Sequence, residues 1–259
     1  MNLVNKEYHK RARILLESWQ DQPDSRAGFL ESSSASLAAA IDLFLLTADA
    51  SISEINKLCK DALAQNVAGI CVNPVHVERC VQLLDGKMPV TCVVGFPLGV
   101  SHPKTKVFEA ELAVSQGART LEMVLNRGLL KTSNFQEVFE EIRAVRHACP
   151  ESNLTVILES GQLDPLEIII ACMLCREAGV DDVKSATGYS DTGTSIEAVS
   201  LMRFVLGEDL GVIAAGMSPD RDKLLAFLKA GATRLSLNFS VAGGTLPGFT
   251  DDSDQVVNK

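Results

Sequence analysis

Eight short apolar runs, each followed by a stretch with helical spacing, take up most of the chain between Ile41 and Asn238. As strands they read as residues 41–46, 68–73, 90–96, 120–126, 154–158, the stretch from Asp181 to Lys184, 211–214 and 233–238. Helix patterns fill the gaps: 53–65 with Ser53 as N-cap, a helix opened by Pro74, then 103–116 and 134–149 capped by Ser133. The remaining ones start at Asp164-Pro165, at a Thr194/Glu197 capping box and at Ser218-Pro219. Connections this short require parallel strands covered by helices. Gln116-Gly117-Ala118, Glu177-Ala178-Gly179-Val180 and Lys229-Ala230-Gly231-Ala232 each end a helix on glycine and feed a strand. A doubly wound open sheet would carry G-x-G-x-x-G after its first strand, which this chain lacks. Eight units in this length fit a closed α/β architecture, the (β/α)8 or TIM barrel, better.

At 259 residues, 46% hydrophobic and 22% charged, the chain suffices for one large α/β domain. The expected division is residues 1–39 as an N-terminal helix and linker, 40–243 as the barrel and 244–259 as an acidic tail. Tyr8, Ile14, Leu15 and Trp19 give residues 5–19 a helix that packs on the outside of the barrel, followed by a polar linker over 20–35. A net charge of -9 argues against nucleic acid or an anionic membrane as partner. No apolar run is long enough to span a membrane. Seven scattered cysteines in apolar patterns read as reduced core thiols, hence a cytoplasmic location. Cys172 and Cys175 form a C-x-x-C inside a helix with no second pair, and core packing outweighs a zinc or redox role. The four histidines show no metal-binding spacing; His102, beside the third strand's loop, reads as loop geometry.

Within this frame Lys184 stands out. It sits beside Val183 where a strand becomes loop, with no basic neighbour in sequence. Burying a lysine there demands a partner or a task. The bland reading is an ion pair at the barrel mouth; the functional one is an amine that forms a Schiff base with a carbonyl substrate. Barrel chemistry lies at the C-terminal strand ends. Lys184, Glu122, Asp42 and Asn238 are expected to point there.

These residues belong to a set that resembles the deoxyribose-phosphate aldolases, class I aldolases that cleave 2-deoxyribose 5-phosphate to glyceraldehyde 3-phosphate and acetaldehyde. The matching motifs are Ile41-Asp42-x-x-Leu45-Leu46, Ile70-Cys71-Val72-Asn73-Pro74, Val94-Gly95-Phe96-Pro97-Leu98-Gly99, Met123-Val124-Leu125-Asn126, Val156-Ile157-Leu158-Glu159-Ser160-Gly161 and Val183-Lys184-Ser185-Ala186-Thr187-Gly188. They cover roughly residues 40–243 in order. The resemblance implies the barrel fold, Lys184 as the Schiff-base lysine and Glu122 at the proton-relay carboxylate. It also implies substrate contacts at Asp42, Cys71, Gly188, Gly216 and Asn238, and no cofactor.

The sequence departs from that pattern where the chemistry would lie. The family's second lysine, in Lys-x-x-Gly-Gly, is Ile213 here, and the second glycine is Met217. The relay aspartate is Glu122, a strand-five lysine is Thr155, and Phe44 follows Asp42-Leu43. A neighbouring ammonium would lower the lysine pKa from its usual value of roughly 10.4. With Ile213 only desolvation does so, while an ionised Glu122 opposes it. Asn238 and Phe239 are bulkier than the small residues that meet a phosphate in the family, so 2-deoxyribose 5-phosphate is expected to bind weakly. An unphosphorylated carbonyl compound stays open as ligand, as does a protein partner. Two readings stand: an aldolase with weak or altered activity, and a barrel kept for binding or scaffolding with catalysis lost.

Overall fold

Period-two alternation decides which side chains enter the barrel and which meet the helices. A computed structural model describes residues 3–21 and 37–240. Its strands are β1 (Ile41–Leu45), β2 (Gly69–Val72), β3 (Val90–Val94), β4 (Thr120–Val124), β5 (Asn153–Ile157), β6 (Asp182–Lys184), β7 (Gly211–Ala215) and β8 (Arg234–Asn238). All pair in parallel in sequence order, and β8 returns to β1, closing an eight-stranded barrel. Ile41, Leu43 and Leu45 of β1 face outward and share one core with Ile55 and Leu58 of a covering helix. The alternate residue Phe44 turns inward, where it meets Cys71, Val93 and Leu46. Each fully buried Leu or Ile stabilises the fold by roughly 1.5–3 kcal/mol, so the outer layer holds the frame and leaves the interior free to carry polar groups.

The helices are α1 (Leu3–Gln20), α2 (Ile52–Ala64), α3 (Val77–Leu84), α4 (Pro103–Ser115), α5 (Arg127–Lys131), α6 (Phe135–Ala148), α7 (Pro165–Ala178), α8 (Ile196–Leu206) and α9 (Arg221–Lys229). A one-turn 3-10 helix, Pro74–His76, precedes α3. Several caps differ from the sequence reading. Ser51, not Ser53, caps α2, because Glu54 three residues on completes a reciprocal box: Ser51 N–H donates to Glu54 at 2.7 Å and Glu54 N–H to Ser51 at 3.2 Å. Ser195 replaces Thr194 at α8, accepting from Ala198 N–H at 3.0 Å. Asp220 replaces Ser218 at α9, accepting from Lys223 N–H at 3.0 Å. Asn134 takes the place expected of Ser133, which has a left-handed backbone with φ of 59°. The Asp164/Glu167 box of α7 is as expected. The short α5 was hidden in the sequence by Gly128; the Asn126 side chain starts it by accepting from Leu129 N–H at 3.2 Å.

The N-terminal helix α1 lies outside the barrel against α7. Tyr8 donates to Glu177, and the Tyr8 ring stands edge-on to Phe135 at 5.6 Å between centroids. The linker expected over 20–35 lies outside the described residues beyond Asp21, as does the acidic tail from residue 244. All seven cysteines are free and buried, including Cys172 and Cys175 inside α7. Among the described residues no cluster of three potential metal ligands occurs, and no helix is long and apolar enough to cross a membrane.

Candidate active site

Lys184 is the last residue of β6 and points inward, its neighbours in register being Ile157 of β5 and Ile213 of β7. Its Nζ lies 2.7 Å from Glu122 Oε2 on β4. Lys184 is 2% exposed and Glu122 3%, so water cannot screen the pair. The Cys71 thiol donates to the same carboxylate oxygen at 3.4 Å. Burial works against the Lys184 ammonium, but the Glu122 carboxylate, with Asp42 adding in the same sense, outweighs it and lifts the lysine above its ordinary value. Ile213 supplies no opposing charge. An amine held this way is protonated at neutral pH and is no nucleophile. The Phe44 ring caps the ammonium, with Nζ 5.7 Å from the ring centroid.

Asp42 is the second residue of β1 and lies deeper in the barrel than the mouth position expected for it. Its carboxylate pairs with Arg234, the first residue of β8. Burial pushes the Asp42 carboxyl up to about 6, against the pull of Arg234 and with a push from Glu122. A carboxyl with a folded pKa of about 6 and an ordinary value of 3.8 favours the folded state when protonated. That contribution is complete below about pH 4 and is lost as pH rises through about 6. Asp42→Asn, which mimics the protonated form, is therefore expected to gain stability relative to wild type between about pH 4 and pH 7. Urea midpoints for both proteins across that range test this; a constant difference would refute it.

A cavity of about 280 Å³ opens at the C-terminal ends of the strands. Gly188, Gly216 and Asn238 line it, together with Phe44, Thr192, Met217 and Ser236. Of the residues assigned by resemblance, these three share the cavity, while Lys184, Glu122, Asp42 and Cys71 are not part of its lining. Phe44 belongs to both groups: one side of its ring faces the cavity and Gly188, and Lys184 lies over the ring. The backbone has no room to spare. A Cβ at Gly193 would sit 2.9 Å from the Gly216 carbonyl oxygen. Gly216 adopts φ of 78°, which favours glycine.

Two site residues escaped the sequence reading. Arg234 is one; an arginine in register with inward Ser236 and Asn238 was the available signal. Glu159 is the other. It is 2% exposed, holds φ of 46°, and anchors the loop after β6: Thr187 and Ser190 donate their hydroxyls to it, the latter at 2.8 Å. His102 stays outside the cavity and caps α4, its Nδ1 accepting from Lys104 N–H at 3.2 Å.

Comparison with known proteins gives a consistent assignment. A family model described as DeoC/LacD family aldolase matches residues 36–243. Deoxyribose-phosphate aldolase 1 of Bacillus licheniformis is 40% identical over 220 residues, covering 84% of this chain and 98% of its own. Deoxyribose-phosphate aldolase of Streptococcus uberis is 43% identical over 202 residues, covering 78% of this chain and 92% of its own. Among solved structures, deoxyribose phosphate aldolase from Aeropyrum pernix matches with a TM-score of 0.75 at 25% identity, over 91% of this chain and 96% of that one.

Proposed function

The chain belongs to the DeoC/LacD family of aldolases, and on that premise we propose that it is a divergent member in which Schiff-base cleavage of 2-deoxyribose 5-phosphate is weak or lost. The observation that carries this reading is the buried contact of 2.7 Å between Lys184 and Glu122. Imine formation needs an unprotonated amine and a path for the carbonyl carbon to reach it. The Glu122 carboxylate opposes the first and the Phe44 ring the second. Ile213, in register with Lys184, offers no ammonium to reverse the balance. A non-catalytic role as a binding or scaffold protein is the second reading, favoured by a cavity that persists apart from the lysine. Buried free thiols support a reducing, cytoplasmic setting.

Borohydride trapping tests the proposal. The protein is incubated with acetaldehyde near neutral pH, reduced, and mapped by mass spectrometry beside an active family member. The expected result is no adduct at Lys184, or one forming at least about tenfold more slowly than the control, because the raised lysine pKa leaves little free amine at neutral pH. An adduct at Lys184 at the control's rate would defeat the proposal and leave an ordinary aldolase.

A further inference from the structure

We propose that Phe96 and Tyr189 form an aromatic latch that holds the Phe44 ring over Lys184. The latch sets the size of carbonyl compound that reaches the amine: the shortest aliphatic aldehydes pass slowly and aromatic aldehydes are excluded. The inference deepens the proposed function and rests on its reading of Phe44 as a barrier. It assigns the residues that hold the barrier shut.

Three rings stand in series above the lysine. The innermost is Phe44, with Lys184 Nζ 5.7 Å from its centroid. Phe44 belongs to a buried cluster with Leu46, Cys71 and Val93, and Phe96 packs against that cluster. Tyr189 completes the series: its ring stands edge-on to Phe96, at 5.1 Å between centroids and 85° between planes. Aromatic pairs favour this arrangement over a face-to-face sandwich. The contact joins the loop after β3 to the loop after β6, so it spans the mouth rather than linking neighbouring strands.

The two halves of the latch are held differently. Phe96 sits on a braced turn: Gly95 N–H donates to Glu109 at 2.7 Å, Gly99 N–H to the Gly95 carbonyl at 2.8 Å, and buried Lys106 to the Gly99 carbonyl at 2.8 Å. Tyr189 N–H donates to Thr187 Oγ1 at 3.1 Å, which fixes its backbone, yet the residue is 48% exposed. Tyr189 is therefore the moving half, its ring free to swing into solvent while the backbone stays. A ring pair of this kind favours the closed state about two- to tenfold. Once the latch opens, Phe44 has space to turn, because its ring also borders the cavity of about 280 Å³. Gly188 leaves that side open: a Cβ there would already touch Phe44 Cζ, at 3.4 Å.

Borohydride trapping on the full-length protein at about pH 9.5, where a larger share of lysine amines is unprotonated, reads the latch. Acetaldehyde and benzaldehyde are the probes, adducts are mapped by mass spectrometry, and exposed Lys104 is the internal reference. In the wild type the ratio of benzaldehyde to acetaldehyde rates is expected to be lower at Lys184 than at Lys104. Tyr189→Ala is expected to raise the Lys184 ratio about two- to tenfold, the weight of the lost ring pair, and to leave the Lys104 ratio unchanged. Tyr189→Phe keeps the ring and is expected to keep the wild-type ratio. A wild-type ratio at Lys184 equal to that at Lys104, or a ratio that Tyr189→Ala leaves unchanged, would overturn the inference. So would Tyr189→Phe behaving like Tyr189→Ala. The charge on Lys184 affects both aldehydes alike and cancels in the ratio. Trapping by acetaldehyde at the control's rate near neutral pH would instead strike at the proposed loss of cleavage, and the size ratio would still decide this point on its own.

Discussion

Glu122→Gln is expected to convert Lys184 from a held ammonium into a reactive amine. Two opposing influences act on the lysine: burial disfavours its charge, and the Glu122 carboxylate at 2.7 Å favours it more strongly. Glutamine keeps the shape and removes the charge. Burial then acts against only the weaker pulls of Cys71 and Asp42, and the lysine pKa falls. Each unit of that fall raises the free-amine fraction at neutral pH about tenfold, so trapping by acetaldehyde is expected to accelerate by about tenfold or more. The pH profile of trapping should shift toward acid by the same amount. Folding stability falls as well, by about 3–5 kcal/mol, because one partner of a buried pair is gone. Deprotonation of Lys184 recovers part of that loss as pH rises. The Phe44 ring still limits access, so the acceleration should be larger in the Phe44→Ala background. An unchanged trapping rate in both backgrounds would mean that the carboxylate is not what holds the amine.

The second large effect lies away from the mouth. Lys106 on α4 is completely buried and satisfied on all three sides: Glu141 Oε2 at 3.0 Å, the Gly99 carbonyl at 2.8 Å and the Val124 carbonyl at 2.9 Å. It ties the loop after β3 and the end of β4 to α6. Lys106→Met keeps the apolar stem and removes the charge, leaving Glu141 buried without its cation. The expected loss is about 3–5 kcal/mol in urea or thermal unfolding. Burial already pushes the Glu141 carboxyl up, and losing Lys106 pushes it further. A carboxyl with a raised folded pKa stabilises the fold when protonated, so the variant should regain stability as pH falls and lose it as pH rises. Lys106→Met combined with Glu141→Leu should be less destabilised than Lys106→Met alone, since a well-packed apolar pair replaces the ion pair. A loss below about 1 kcal/mol in the single variant would show that the contact carries little weight.

Lys184 was legible before any coordinates because a lone lysine beside Val183 in a short strand asks for a partner. Its partner came from the resemblance, which puts Glu122 at the relay carboxylate, and the structure places the two 2.7 Å apart. Lys106 was not legible. Its helix, Pro103–Ser115, carries Lys104, Lys106, Glu109 and Glu111 and reads as an ordinary solvated face. Nothing local distinguishes Lys106, which is wholly buried, from Lys104, which is exposed. Asp42 was placed at the mouth by the general rule for barrel chemistry; as the second residue of β1, paired with Arg234 at the start of β8, it lies deeper. The caps at Ser51, Ser195 and Asp220 were misplaced by one or two residues because several Ser, Thr and Asp residues compete at each helix start, and only backbone direction chooses among them.

The sequence by itself determined the alternation of eight strands with helices, because that pattern is set by local backbone preference and by which residues alternate between core and interior. The tertiary structure decided which charges meet. Glu122 and Lys184 are 62 residues apart, and Asp42 and Arg234 are 192 apart. The second pair exists because β8 closes on β1, the first because β4 and β6 flank β5, and the barrel interior removes water from between the partners, so no short window along the chain contains both members.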